Sequence, residues 1–462
     1  MPACAADEGN EMGRSMVTDI MRDNYETLPN AAFRRYAKTY ADIQRDFERS
    51  VELFGLEREP DEEAFTPENL RARAAKLEER GAVVANDCKS IHTGWVSPSC
   101  VSCRKGVGTE TFLASTQCPR SCYFCFNENQ EDYDYYRSHV HDMAAELQER
   151  YNAGARHTDI AVTGGEPLLH RAETLALLCR ARELEPEAYT RLYTSGSGLD
   201  KEYARELADA GLNEIRFSVK LDEPEAAKKK TLERLRLCVG LFDAVMVEMP
   251  VMPDQVEEMK ELLAHLDGLG CTGINLLELC FPFRNAPEFA QRGYRLKARP
   301  YRVLYDYWYS GGLPVAGSEQ ACLDVMEWGM EQGLSLGMHY CSLENKLTGQ
   351  VYQQNRFIDA PHPRHEMSPR DFFLKSAKVF GADRDTTSRI LRTAGITALL
   401  RNRKASSLEF PLSAVPLLAA DAPDLPVAVS ICVAEMRDGE PVLRELALQL
   451  TTPATFNYEA DR

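Results

Sequence analysis

The sequence predicts an α/β fold in which six short strands alternate with helices to build a parallel sheet or barrel. Three observations predict it. From Val107 onward short apolar runs recur: GTETFLAST, DIAVTGG, AYTRLYTSG, NEIRFSVKL, DAVMVEMPV and GINLLELCF. Between them lie VHDMAAELQERYNAG, RAETLALLCRARELE, KEYARELADAG, AKKKTLERLRLCVGLF and QVEEMKELLAHLDGLG, each long enough for a right-handed crossover between parallel strands. The unusual residues fall directly after the strands, where βα loops of such a fold gather.

Ahead of this core, residues 1–105 form a predicted helical extension that carries a pair of cysteines. Segments such as AAFRRYAKTYADIQRDFERSVELF and TPENLRARAAKLEERG have helical periodicity and many charges. The core itself spans 106–345, and LSLGMHYCS near its end is one more strand-like run that could complete the barrel face. The Arg/Tyr-rich stretch RGYRLKARPYRVLYDYWYSGG interrupts it. Residues 346–462 read as a small α+β C-terminal module: a helical DFFLKSAKVFG, then two strands around the Asp438-Gly439 turn in LPVAVSICVAEMRDGEPVLRELALQL.

Composition bounds the function. A hydrophobic share of 44% and a charged share of 27% are those of an ordinary folded enzyme. The net charge of -17 disfavours nucleic-acid partners, which demand a basic stripe. No run approaches the roughly 20 apolar residues that cross a bilayer, so no membrane association and a cytoplasmic location are expected. In such a reducing compartment, 14 cysteines point to metal or redox chemistry before disulfides.

The loop ASTQCPRSCYFCFNENQ follows the first predicted strand and sets Cys118, Cys122 and Cys125 in a C-x3-C-x2-C arrangement. Four ligands would close a zinc site or an ordinary cluster, whereas three leave one iron with open positions. The next strand ends in Thr163-Gly164-Gly165-Glu166-Pro167, a glycine pair that lets backbone approach a ligand closely, beside one carboxylate.

Together these motifs, with Phe124 as the aromatic before the last cysteine, resemble the radical S-adenosylmethionine (SAM) superfamily. The resemblance implies a partial (β/α)6 radical SAM barrel and a [4Fe–4S] cluster on Cys118, Cys122 and Cys125, with SAM on its open iron. It also implies that Gly164, Gly165 and Glu166 line the SAM amine, and that Thr194, Ser195 and Ser218, after the third and fourth strands, hold the ribose and carboxylate. A low-potential donor, a flavodoxin or ferredoxin, would supply the electron that splits SAM, and the resulting 5′-deoxyadenosyl radical would take a hydrogen atom from substrate, an oxygen-sensitive chemistry.

A second set of cysteines remains. Cys100-x2-Cys103 is a half-site for zinc or an iron–sulfur cluster, and Cys341 follows the last strand-like run. An auxiliary metal on Cys100, Cys103 and Cys341 is expected, with Cys88 or His339 as fourth ligand; the alternative is a set of reduced structural thiols. Cys4, Cys179, Cys238, Cys271, Cys280, Cys322 and Cys432 read mostly as small core residues.

The upstream cysteine pair, TGGEPLL, LYTSG, AGLNEIRFS, VEMPVMPD, INLLELCF, GSEQA and MHYCSLENK further resemble radical SAM proteins related to the pyruvate formate-lyase activating enzyme. The long extensions depart from a dedicated activase and favour direct action on a peptide or small metabolite. Activation of a partner protein and a non-catalytic zinc-binding protein stand as alternatives. Charged residues inside parallel strands are costly unless paired or facing a cavity, which marks Arg216, Glu248, Asn275 and Glu278 either as pocket residues, Arg216 and Glu278 with catalytic potential, or as satisfied ion pairs of the barrel core.

Overall fold

The computed structural model describes residues 17–130, 132–299, 312–356, 363–438 and 440–462. Most of the Arg/Tyr-rich stretch, and Gly439 of the expected turn, lie outside them.

The chain divides into two compact units. One takes the described residues from Glu52 to Gln350; the other joins those up to Val51 to those from Val351 onward. The extension expected over 1–105 is therefore shared out. Helix Ala31–Glu52 buries Phe33 and Ala37 against Phe380, Ala428 and Leu448 of the C-terminal segments, with the Phe33 and Phe380 rings stacked at 4.6 Å. Strands Val83–Ala85 and Ser90–Thr93 instead extend the sheet of the first unit.

That sheet contains seven parallel strands: β1 (Thr109–Leu113), β2 (Asp159–Thr163), β3 (Tyr189–Thr194), β4 (Glu214–Phe217), β5 (Ala244–Val251), β6 (Gly273–Glu278) and β7 (Gly337–Cys341). They pair in sequence order, with Ser90–Thr93 antiparallel on the far side of β7. The six predicted strands are all present, and LSLGMHYCS supplies the seventh. Helices fill the connections, several stopped or started by local chemistry. Asp142 and Asp200 cap Met143–Asn152 and Lys201–Asp209 through Ala145 N (3.0 Å) and Tyr203 N (2.8 Å), and Gly270 ends Val256–Leu269 in a left-handed turn at φ 78°.

Alternation within the strands decides what the barrel contains. Ile160, Val162, Leu192, Ile215, Phe217, Val245, Val247, Ile274, Leu276, Met338 and Tyr340 belong to the apolar core beneath the helices. The residues between them carry the opposite chemistry: Asp159, Arg191, Tyr193, Glu214, Arg216, Glu248, Asn275 and His339. Successive side chains of a strand point to opposite faces, so this polar set fills the lumen.

The second unit is a seven-stranded antiparallel sheet. Its centre is Leu374–Phe380 between Ser407–Phe410 and Val427–Arg437, with Glu440–Thr451 and Thr18–Asp19 beyond. Within DFFLKSAKVFG, read as helical from sequence, Leu374–Phe380 thus forms the central strand, because LKSAKVF is buried along its whole length. Among the described residues, no helix is long and apolar enough to cross a membrane.

Candidate functional site

The loop after β1 is fixed by the loop after β2, backbone to backbone. Gly165 N donates to Ser115 O at 2.8 Å, Glu166 N donates to Gln117 O at 2.7 Å, and Asn127 Nδ2 donates to Gly164 O at 3.0 Å. A Cβ on Gly165 would lie 2.1 Å from Gln117 O, and one on Gly164, whose φ is 147°, would lie 2.4 Å from Ser115 O. What approaches the glycine pair so closely is the cysteine loop itself, not only a ligand as the sequence suggested.

Glu166 anchors the next strand end as well. Its carboxylate is fully buried and accepts from Thr194 Oγ1 (2.6 Å), Ser195 N (2.8 Å), Ser195 Oγ and Leu168 N (3.2 Å). Thr194 and Ser195 therefore serve Glu166 directly. Ser218 N donates to Thr194 O at 2.9 Å, and its hydroxyl accepts from Lys220 Nζ at 2.9 Å. Lys220 escaped the sequence reading although it lies only three residues past the end of β4. Its ammonium stands 4.8 Å from the centre of the Phe124 ring.

Cys118 is exposed and Cys122 and Cys125 are half-buried, all as free thiols. Burial raises Cys118 and Cys125, with Cys122 and Cys125 raising Cys118 further and Cys122 raising Cys125; the backbone amides of Arg120 and Asn127, respectively, and for Cys125 the Lys220 ammonium, pull the other way. Among the described residues, no three His, Cys, Asp or Glu side chains are gathered as a preassembled metal site. The fit to a three-thiolate cluster is one of donor chemistry: three free sulfurs on a single loop, seated on glycines that tolerate no side chain.

Below the strand ends lies the lumen network. Arg216, only 3% exposed, donates to Glu248 Oε2 (2.6 Å), Ser97 Oγ (2.9 Å), Cys100 Sγ (3.6 Å), Tyr193 Oη (3.4 Å) and Glu214. Burial would raise the Glu248 carboxyl, but Arg216, Lys346 and Asn275 together hold it below its ordinary value. Asn275 Nδ2 donates to Glu248 Oε2 at 2.6 Å, which turns its Oδ1 to His339 Nδ1 at 2.9 Å. His339 Nδ1 then carries the proton and Nε2 accepts from Ser90 Oγ at 2.9 Å, while burial pushes the ring down to about 4.

The second cysteine set is partly brought together. Cys100 and Cys103 share helix Pro98–Cys103, and both lie within electrostatic reach of Cys341, whose thiol burial pushes up to about 12. Cys88 stands apart, in a turn at φ 63° beside Asp87 and Arg71, and both His339 nitrogens are already bonded. Glu278 is on the opposite face of β6 from Asn275. It pairs with Lys297, which also binds Glu319 at 2.8 Å, and burial raises the Glu278 carboxyl. Of the cysteines read as core, Cys238, Cys271, Cys280, Cys322 and Cys432 are buried but Cys179 is exposed, and Cys4 lies outside the described residues.

Residues 113–266, from the cysteine loop to the helix after β5, match the Radical SAM superfamily. That match covers about a third of the chain. A relative described as a putative glycyl-radical enzyme activating enzyme of Methanocaldococcus jannaschii is 26% identical over 270 residues, 56% of this chain and 66% of that protein. The PqqA peptide cyclase of Methylocella silvestris is 32% identical over 114 residues, 24% of this chain and 28% of that protein. The chain thus spans less than two thirds of either relative. Among solved structures, Streptococcus suis SuiB bound to its precursor peptide SuiA superposes at a TM-score of 0.38 with 14% identity, covering 64% of this chain and 57% of that one. The radical SAM methyltransferase TsrM of Kitasatospora setae reaches 0.34 with 18% identity, covering 49% and 53%. Likeness at that level carries no function.

Proposed function

We propose that the chain is a radical SAM enzyme in which Cys118, Cys122 and Cys125 hold a [4Fe–4S] cluster and the barrel lumen receives a peptide or small-metabolite substrate. The observation that carries this reading is the docking of the three-thiol loop onto Gly164–Gly165. When bound and reduced by a flavodoxin- or ferredoxin-type donor, the cluster would supply the electron that splits SAM into methionine and a 5′-deoxyadenosyl radical able to abstract hydrogen.

The chain's own residues have separable tasks. Glu166, with Thr194 and Ser195, joins the ends of β2 and β3 in one bonded unit, so the polar groups around the loop are set before ligands arrive. Lys220 puts a cation beside Phe124 and Cys125, which suits a loop that must hold anionic sulfur. Glu248 accepts two hydrogen bonds on Oε2, and its side chain remains 17% exposed, so it presents a fixed carboxylate to whatever enters the lumen.

Activation of a partner protein is the second reading, favoured by the description of the M. jannaschii relative. Anaerobic reconstitution followed by dithionite and SAM tests the first step: methionine and 5′-deoxyadenosine are expected in equal amounts, and a protein that carries iron yet yields neither refutes it. A glycyl radical signal on a co-purified partner would select the second reading.

A further inference from the structure

Two thiols in the lumen are not used by the reading above. Cys100 and Cys103 sit three residues apart on the helical turn Pro98–Cys103, with Cα atoms about 5 Å apart, within the span of a disulfide. Lumen strands hold this turn from three sides. Ser99 Oγ donates to Asp159 Oδ1 on β2 at 2.6 Å, and Cys100 Sγ accepts from Asn275 Nδ2 on β6 at 3.3 Å and from Arg216 on β4 at 3.6 Å. Cys103 is exposed as a residue, yet burial raises its thiol and Cys100, Arg191, Lys346 and Glu248 all act on it, so the sulfur lies within reach of the charged lumen side chains. Gly349 permits the placement: a Cβ there would lie 2.4 Å from Cys103 O.

We propose that Cys100 and Cys103 form a dithiol that returns a hydrogen atom to a carbon radical inside the barrel, an inference that rests on the enzymatic reading above. The S–H bond is weaker than an alkyl C–H bond, so the transfer runs downhill. The Cys103 S–H bond breaks homolytically, a C–H bond forms on the substrate, and a sulfur radical remains on Cys103. Cys100 then loses its proton to solvent and closes the S–S bond, and the one surplus electron passes to the oxidised iron–sulfur cluster. A dithiol reductant of the thioredoxin class, supplying two electrons and two protons, restores both thiols.

Two measurements test it. In anaerobic protein treated with oxidised dithiothreitol, differential alkylation and peptide mapping should find a reversible Cys100–Cys103 disulfide. Two free thiols throughout overturn the proposal, as does iron or zinc retained by the Cys118→Ala/Cys122→Ala/Cys125→Ala protein and lost on further removal of Cys100, since a metal would then occupy these sulfurs. In the second, reduced holoprotein is given SAM alone in D2O, where thiol hydrogens exchange with solvent. The 5′-deoxyadenosine should carry one deuterium, and Cys103→Ala should lower the deuterated fraction at least five-fold; an equal fraction in both proteins overturns the proposal. Absence of 5′-deoxyadenosine would refute the enzymatic reading instead, and the disulfide map would still decide whether the dithiol exists.

Discussion

The strand-end loops and the lumen floor are built in different ways within one barrel. Around Cys118 the contacts run between backbone groups of two loops, and the sequence contributes mainly by leaving side chains out at Gly164 and Gly165. On the floor, Arg216, Glu214, Glu248, Asn275 and His339 hold one another by side chain, on strands whose backbone is already committed to the sheet. The first arrangement leaves thiols accessible for ligands; the second removes charge from water and balances it internally. Damage to the two should therefore read out differently, one as lost metal and the other as lost stability.

The sharpest contrast is expected from Arg216→Met, which strands the Glu214 and Glu248 carboxylates. Urea unfolding should fall by roughly 3–5 kcal/mol, while iron per folded chain after reconstitution stays at the parent value. Gly165→Ala should do the reverse in emphasis. Its Cβ meets Gln117 O, so about 2–3 kcal/mol of stability goes together with most of the iron, read by iron assay and the visible spectrum of the cluster.

Acid should attack the floor before the loops. His339 is held neutral well below its ordinary 6.5, so the unfolded chain binds the proton more readily than the folded one. The stability this contributes is fully present above pH 6.5 and is lost as the pH falls from 6.5 toward about 4. By pH 5 the loss should be about 2 kcal/mol relative to pH 7, and His339→Gln should flatten that slope in urea titrations. The smallest effect is expected from Thr194→Val, which removes one donor from the buried Glu166 carboxylate. About 1–2 kcal/mol and a several-fold weaker SAM affinity by calorimetry are expected, with iron content retained. A variant that keeps both SAM affinity and stability would show that Glu166 needs no help from β3.

Much of the barrel was readable because the strands alternate apolar and polar residues between clear helices. LKSAKVF was misread because its lysines mimic an amphipathic helix, whereas the buried Lys378 pairs with Glu445 across the sheet. Arg216, Glu248 and Asn275 were legible as unusual because polar and charged groups in a parallel strand demand an explanation, and the fold supplies one by bonding them to one another. Glu278 looked the same in sequence, but three residues separate it from Asn275, so strand parity sends it to the opposite face, toward Lys297. Lys220 went unseen because a lysine shortly after a strand is ordinary until the fold sets it over Phe124.

By itself the sequence determined the repeating βα units, the three-cysteine loop and the glycine pair, since periodicity and spacing are local properties of the chain. Tertiary structure alone decided that the glycines accommodate the cysteine loop, that Thr194 and Ser195 serve Glu166, and that Cys100 and Cys103 meet Asn275 and Arg216 in the lumen. Those contacts join residues from about 30 to 175 positions apart, and only closure of the sheet brings such distant segments within hydrogen-bond reach.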